Sequence, residues 1–564
     1  MNKFLRSLIL MVLGFGQIAM AQSVITIKDG DLQANQTYNW TSNNVYLLDG
    51  FVYLETGGKL IIEPGTVIKG KTVPTTGDLS SSLIITRGAQ IFAEGTATRP
   101  IIFTGELDDL STTTDILASD NQLWGGLIIL GSAPIGEDGG TDVIEGIPSS
   151  EPRIVYGGTN ANDNSGILRY VSVRHGGSVL GADNEINGIT LGGVGRGTTI
   201  DYVEVFANKD DGIEVFGGTV NITHALVSFV GDDSFDFDES WDGYVQFLFS
   251  IQDGITNGDN AIEYDGSEEA NRQPKTVGRI YNGTFIGSGS VAGTDSDGLR
   301  LRLDGAAQFW NCIWTQIPGA VFRVEDTSRD RLRTGESAFR GNIAVQYGTL
   351  AFGNDPIILS AWINNDNGVV TNPQLGSISR IPDGNLDPRP QAASAALTGA
   401  AVPSEAGVQA VPYRGAFSNV ENWATGWSAL AQYGYFGNKV TIDKVINDAR
   451  IQAGQAWVLN NEVEWILDGL VYVEAGASLT IEPGTVIKAK NVPTSSADIS
   501  SSLIIARGAK IFAEGTRTQP IIFTSELDDL STTTDLTAND RRLWGGVIVL
   551  GAAPVGEDGG TDVY

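Results

Sequence analysis

One short pattern, returning four times between Asn208 and Asp304, restricts this chain more than any other feature. It reads Asp210-Asp211-Gly212-Ile213-Glu214-Val215, then Asp232-Asp233-Ser234-Phe235-Asp236-Phe237, Asp259-Asn260-Ala261-Ile262-Glu263-Tyr264, and Ser296-Asp297-Gly298-Leu299-Arg300-Leu301. Each copy is a polar turn followed by strict alternation. Ile213/Val215, Phe235/Phe237, Ile262/Tyr264 and Leu299/Leu301 share one side of a short strand, and Glu214, Asp236, Asp238, Glu263, Asp265, Arg300 and Arg302 share the other. The first inward positions follow one another at 22, 27 and 37 residues. A supersecondary unit recurring on that scale signals a solenoid. With 71 glycines in 564 residues, many β-branched residues and no sustained 3.6-residue period, the expected fold is all-β, a right-handed parallel β-helix. Coils in such a fold stack at roughly 4.8 Å, so equivalent residues line up in columns. Glu214, Asp236 and Glu263 should therefore form one charged strip, with Asp210, Asp232 and Asp233 crowded at its corner.

The formal net charge is -31 with only 18% charged residues, which describes an acidic globular protein and not a disordered polyanion. Nucleic acid is excluded as a partner, because phosphate binding needs a basic footprint. Met1 to Ala21 has the form of a secretory signal: Lys3 and Arg6, an apolar stretch from Ser7, and Ala19-Met20-Ala21 before Gln22. The junction carries no cysteine for lipid attachment. No later segment approaches the ~18 apolar residues of a membrane span. The expected location is extracellular, in solution or on the cell surface. Cys312, the single cysteine, lies in the apolar run Phe309 to Trp314 and reads as an inert core thiol.

Along the chain, Leu60 to Ile68 is a strand, a Pro64-Gly65 turn and another strand, the corner of one coil. Leu168 to Arg174 aligns with Ile200 to Phe206, which puts His175 at the same corner as Ala207, about one coil before Asp210. Gly192 to Gly197 has no following helix and no Lys-Ser/Thr, so it reads as a coil turn and not a phosphate loop. From about residue 373 the signal turns to loops, expected to cover the C-terminal end of the solenoid. Then the chain starts again. Leu503 to Val563 is identical to Leu83 to Val143 at 47 of 61 positions. The expected organisation is a signal over 1–21, a complete β-helix unit over 22–438, and a second copy over 439–564 that breaks off at Tyr564 before its own acidic ladder.

Pro100-Ile101-Ile102-Phe103-Thr104, Trp124-Gly125-Gly126, Asn184 to Gly195 and Tyr413-Arg414-Gly415-Ala416-Phe417 together resemble a family of secreted bacterial right-handed β-helix proteins that often carry a type IX secretion sorting domain. Asn208 to Glu214 followed by Gly231-Asp232-Asp233 is similar, more locally, to the catalytic corners of polygalacturonase-type glycoside hydrolases. That likeness implies general acid and base roles for Asp210, Asp232 and Asp233, with Leu299-Arg300-Leu301-Arg302 at the place of a substrate-binding Arg-Ile-Lys. Lys209 stands where those enzymes have Thr, and Asp259-Asn260-Ala261 where they have Gly-His-Gly.

From the residues themselves, catalysis would use Asp210, Asp232 and Asp233, with His175 nearby. Inverting hydrolysis asks for two carboxyl groups about 6.5–9.5 Å apart. Glu214, Arg300 and Arg302 would bind substrate. Asp232, Asp233, Asp236, Asp238 and Glu263 offer the hard oxygen set that calcium takes. His224 reads as structural. The expected function is presentation of an acidic face to a polysaccharide or other surface polymer. The alternatives are a hydrolase or calcium-dependent lyase built on the Asp cluster, and a structural stalk or adhesin.

Overall fold

The computed structural model describes residues 23–110, 115–181, 184–253, 258–267, 273–289, 296–325, 327–345, 355–363, 365–436, 444–447 and, with short gaps, 451–553. The expected signal over Met1 to Ala21 lies outside these residues. The recurring pattern winds into a right-handed parallel β-helix with short coils. Its front sheet has nine parallel strands, paired in the order Phe51–Leu54, Ser82–Ile85, Leu127–Leu130, Ile189–Gly192, Ile213–Phe216, Phe235–Asp238, Ile262–Asp265, Leu299–Arg302 and Phe322–Val324. The register aligns Ile213, Phe235, Ile262, Leu299 and Phe322 across five coils. All five are buried, in one core that runs the length of the coils. Alternation thus becomes an apolar column inside and a polar column outside.

The other two faces are joined by the turns 63–66 and 95–100 in the early coils and, from Gly166–Arg174 onward, by a bend of a single residue. Gly166–Arg174 pairs with Gln90–Glu94 before its bend and with Ile101–Gly105 after it. Tyr170, Tyr202, His224, Phe247, Asn282 and Asn311 occupy that bend on successive coils, with φ between 49° and 61°. Left-handed backbone is strained for a residue with a side chain. Ring stacking compensates: Tyr170 to Tyr202 at 4.4 Å, Tyr202 to His224 at 4.2 Å and His224 to Phe247 at 4.9 Å between centroids. His224 also meets Asp201 at 2.8 Å, in keeping with its structural reading.

The C-terminal end of the coils is closed differently from expectation. Leu332 in helix Ser328–Thr334, with Ile358 and Trp362 in helix Pro356–Ile363, joins the core, and Trp362 packs on Phe322 and Phe339. Of the loop-rich segment expected there, Ala392–Ala416 and Trp427–Tyr433 lie along the side of the solenoid instead, following the bends. Gln246 grips the backbone of Gln409 through both amide atoms (2.7 and 2.9 Å), and Asn311 grips that of Ala401 (2.8 and 2.7 Å). Asn282 donates to the Tyr413 carbonyl, and Trp427 sets its edge on Tyr170 and Tyr202. Side-chain amides suit this task because they mimic the donor and acceptor of a neighbouring strand. No described helix is long and apolar enough to cross a membrane.

The chain divides into two compact units. The first comprises the residues up to Gln374 with Ala392–Ala416 and Trp427–Tyr433. The second holds Leu375–Gln391, Phe417–Gly426 and everything from Gly434. It forms parallel sheets of four, three and three strands, among them Ser478–Ile481, Ser502–Ile505 and Gly546–Val549. The repeat extends to single side chains. Asp49 receives the backbone N–H and hydroxyl of Thr75, and Asp468 receives those of Thr494. Glu106 caps the N–H of Thr72, as Glu526 caps that of Asn491. The boundary near 439 and the terminal Tyr564 lie outside the described residues. Gln246→Ala should leave two strap groups unpaired, lowering unfolding free energy in urea by about 1–3 kcal/mol and opening residues 401–413 to limited proteolysis.

Candidate functional site

The outward side of the front sheet changes character along its length. At its N-terminal end it is apolar. There the strands are covered by a hairpin, Thr141–Val143 against Val155–Gly157, whose Ile144, Ile147, Ile154 and Tyr156 pack with Ile128, Leu130 and Phe216. Beyond Phe216 the outward residues become acids. Register aligns Thr190, Glu214, Asp236, Glu263, Arg300 and Arg323 in one column, so the strip read from the sequence exists.

The adjoining corner separates into two files. In the inner file each side chain holds the next coil. Asp211 Oδ1 accepts from Asp233 N at 2.8 Å, Asp233 Oδ1 from Asn260 N at 2.5 Å, Asn260 Oδ1 from Asp297 N at 3.2 Å, and Asp297 Oδ1 from Ala320 N at 2.7 Å. Asp233, expected to be catalytic, is a rung of this ladder. The outer file is Asp210, Asp232 and Asp259, one residue earlier in each coil. Oxygens of Asp210, Asp211 and Asp232 lie within 4.8 Å of one another, as do those of Asp232, Asp233 and Asp259, and those of Asp211, Glu214 and Asp236. Each group is placed so that it could hold a metal ion. The expected calcium set does not close as one: Asp236 groups with Asp211 and Glu214, Asp232 and Asp233 group with Asp259, and Asp238 and Glu263 belong to none of the three.

Crowding these acids disfavours their charge. Burial first, and then Asp232 and Glu145, push Asp210 up to about 7. Partial burial with Asp259 and Glu263 pushes Asp232 to about 6, although its edge reaches solvent. Burial and Asp265 push Asp238 to about 7. Asp211, Glu214, Asp233 and Asp236 are driven well above the carboxylate range, burial being the largest cause in each.

The cations sit at the C-terminal end and are already engaged. Arg302 Nε lies 2.8 Å from Glu263 and 2.9 Å from Asp265. Arg300 reaches Glu263 at 3.6 Å and Glu325 at 3.7 Å, and Arg323 holds Asp297. Arg300 and Arg302, expected to bind substrate, instead neutralise the end of the strip. His175 does occupy the corner of Ala207, but it turns away from the acids. Its Nδ1 meets the Asp120 carbonyl at 2.6 Å, its Nε2 the Tyr433 hydroxyl at 3.3 Å, and its ring packs on Phe206. Burial holds it down at about 4, so it is neutral. Both nitrogens being taken, it is no candidate base.

Several residues of this face were not singled out from the sequence. Asn187 starts the corner series one coil early, and Asn187-Gly188-Ile189 matches Asp211-Gly212-Ile213 closely enough to have been found. Glu145 comes from the hairpin, which has no repeat to align it. Glu239, bonded to Tyr156 at 2.7 Å and pushed to about 9 chiefly by burial, had no signal either.

Residues 30–358 and again 451–563 match the family described as a pectate-lyase like beta helix domain. The chain belongs to that family. Both copies of the repeat fall within the match. Within this pectate-lyase like family member, the acids described above lie in the first matched stretch. No curated protein matches the chain. A solved structure of a mutant of the PL6 family alginate lyase AlyGC is similar at 10% identity and a TM-score of 0.22, covering 89% of this chain and 73% of that one. That overlap is too loose to place residues on one another.

The raised acids set a pH dependence. Between the ordinary carboxylate range and about 7 the folded chain binds more protons than the unfolded one, so stability falls as pH rises. His175, held neutral, acts in the opposite sense below its ordinary range. In chelator, the melting temperature should be higher at about pH 5 than at about pH 8, and an Asp210→Asn, Asp238→Asn double variant should flatten the slope in calorimetry.

Proposed function

We propose that this protein is an exported, surface-associated β-helix whose acidic strip binds a polysaccharide or another surface polymer, with calcium as the bridging ion. The observation that carries this reading is the in-register strip itself. Carboxylates of three successive coils stand side by side, while the neighbouring arginines are committed to Glu263, Asp265 and Asp297. Like charges stacked along a sheet are destabilising unless something positive lies among them. At the rim, Asp232, Asp233 and Asp259 offer a hard oxygen set open enough to share an ion with a sugar hydroxyl or carboxylate. Two matched β-helix stretches in one chain add length to the scaffold that presents the strip.

Cleavage of the polymer is the second reading, favoured by one observation: Asp210 and Asp232 are close together and both titrate near neutrality. Their oxygens approach within 4.8 Å, inside the gap that an inverting pair leaves for water and nearer the about 5–5.5 Å of a retaining pair. A stalk that spaces another domain from the cell would use the same coils and leave the strip idle.

Affinity electrophoresis through gels containing acidic or neutral polysaccharides separates the three. Binding predicts retardation in calcium that is lost in chelator and in an Asp232→Asn, Asp259→Asn double variant, with no new reducing ends or unsaturated products. Product release that vanishes in Asp232→Asn at unchanged melting temperature would establish cleavage. Unretarded migration across the panel, with no products, would leave the stalk.

A further inference from the structure

Asp211, Glu214 and Asp236 differ from the rim group in being enclosed. Asp211 and Glu214 are 7% and 6% exposed, and one oxygen from each of the three lies within 4.8 Å of the others. Two oxygens at this place are buried without a hydrogen-bond donor: Asp236 Oδ1, and Oδ1 of Asn187, a residue only 1% exposed. The Asn187 amide is fixed at the cluster, because its nitrogen donates to Glu214 and, at 3.4 Å, to Glu145 Oε1. Glu145 belongs to the hairpin and not to the coils. Carboxylates from two separate segments therefore face each other across one neutral amide, with acceptors in excess of donors.

We propose that Asp211, Glu214 and Asp236, completed by Asn187 and by Glu145 from the hairpin, form a calcium site that pins the hairpin 141–157 to the front sheet. Calcium takes six to eight oxygens at about 2.3–2.6 Å in flexible geometry, and the set supplies up to five, leaving the rest to water. A half-turn of the Asn187 amide exchanges its nitrogen and oxygen at no steric cost and turns the orphaned oxygen toward the ion. One cation then satisfies both buried acceptors and removes the repulsion between Glu145 and Glu214. The hairpin's apolar contacts give its position, and the ion gives its permanence. This site stands whether or not the rim binds a polymer.

Arg153 is the only lysine or arginine in 141–157, so trypsin reports hairpin opening. The test uses the full chain, stripped with chelator and titrated with calcium chloride alone, with magnesium as control. Calcium should raise the melting temperature and slow cleavage after Arg153, roughly tenfold at ten times its dissociation constant. In Glu145→Gln it should still raise the melting temperature but protect Arg153 less. In Asp236→Asn, and independently in Glu214→Gln, protection of Arg153 should be lost and the thermal shift reduced to what the rim group alone gives, with circular dichroism confirming the fold. No thermal shift in the parent protein, or an undiminished shift in both of the last two variants, would overturn the site. Full protection of Arg153 in Glu145→Gln would overturn the link to the hairpin.

Discussion

Hydrogen bonding between successive coils is the constraint on which the rest of the molecule depends. Once Ile213, Phe235, Ile262 and Leu299 are in register inside, Glu214, Asp236, Glu263 and Arg300 have no freedom to avoid one another outside. A sheet with one buried face permits no slip of one residue, since a slip would turn the core outward. Charges that a loop would let drift apart are therefore held at strand spacing by apolar packing. The core sets the electrostatics of the surface.

The same constraint explains how unevenly the strip is neutralised. Arginines occur in the column from Leu299–Arg302 onward and discharge Glu263, Asp265 and Asp297. The acids of the two preceding coils have Lys209 near Asp210 and Asp232 and Glu145 of the hairpin beside Asp210 and Glu214. Burial is the largest influence on every raised acid of the cluster, and mutual repulsion comes next. A chain that merely needed solubility could have put these acids in loops.

The coils were legible in the sequence because each satisfies a local rule: alternation with a period of two, a turn residue before the strand, and repetition that fixes the register. Glu214, Asp236 and Glu263 could be placed by counting alone. The roles of the corner acids could not, because Asp232 and Asp233 look alike on paper and only the backbone shows that Asp233 also holds the next coil through the Asn260 N–H. Arg300 and Arg302 were misjudged because alignment puts them beside Glu263, Asp265 and Glu325 without showing that these acids already hold them, and His175 because its partners, Asp120 and Tyr433, lie outside the repeat. The strap was placed at the wrong surface because its docking uses Gln246, Asn282 and Asn311, amides that look like ordinary polar residues until the left-handed bends line them up. Glu145 was invisible because no neighbouring coil carries a hairpin against which to align it.

The single-residue bend has a further consequence for how this scaffold can vary. From Gly166–Arg174 to Tyr244–Ile251 that corner is one residue, such as Tyr170 or Tyr202, inside a continuous strand, whereas the preceding coils turn there through residues 63–66 and 95–100. An insertion in the continuous strands would break the ladder on both sides of the bend. In those coils extra sequence is left to the other two corners, which border the front sheet, where the hairpin after Leu127–Leu130 and the residues between Ile262–Asp265 and Gly278–Tyr281 arise. Along the acidic strip the frame thus directs new loops toward the rim, so the border of that face can be rewritten while the stack that carries it is left alone.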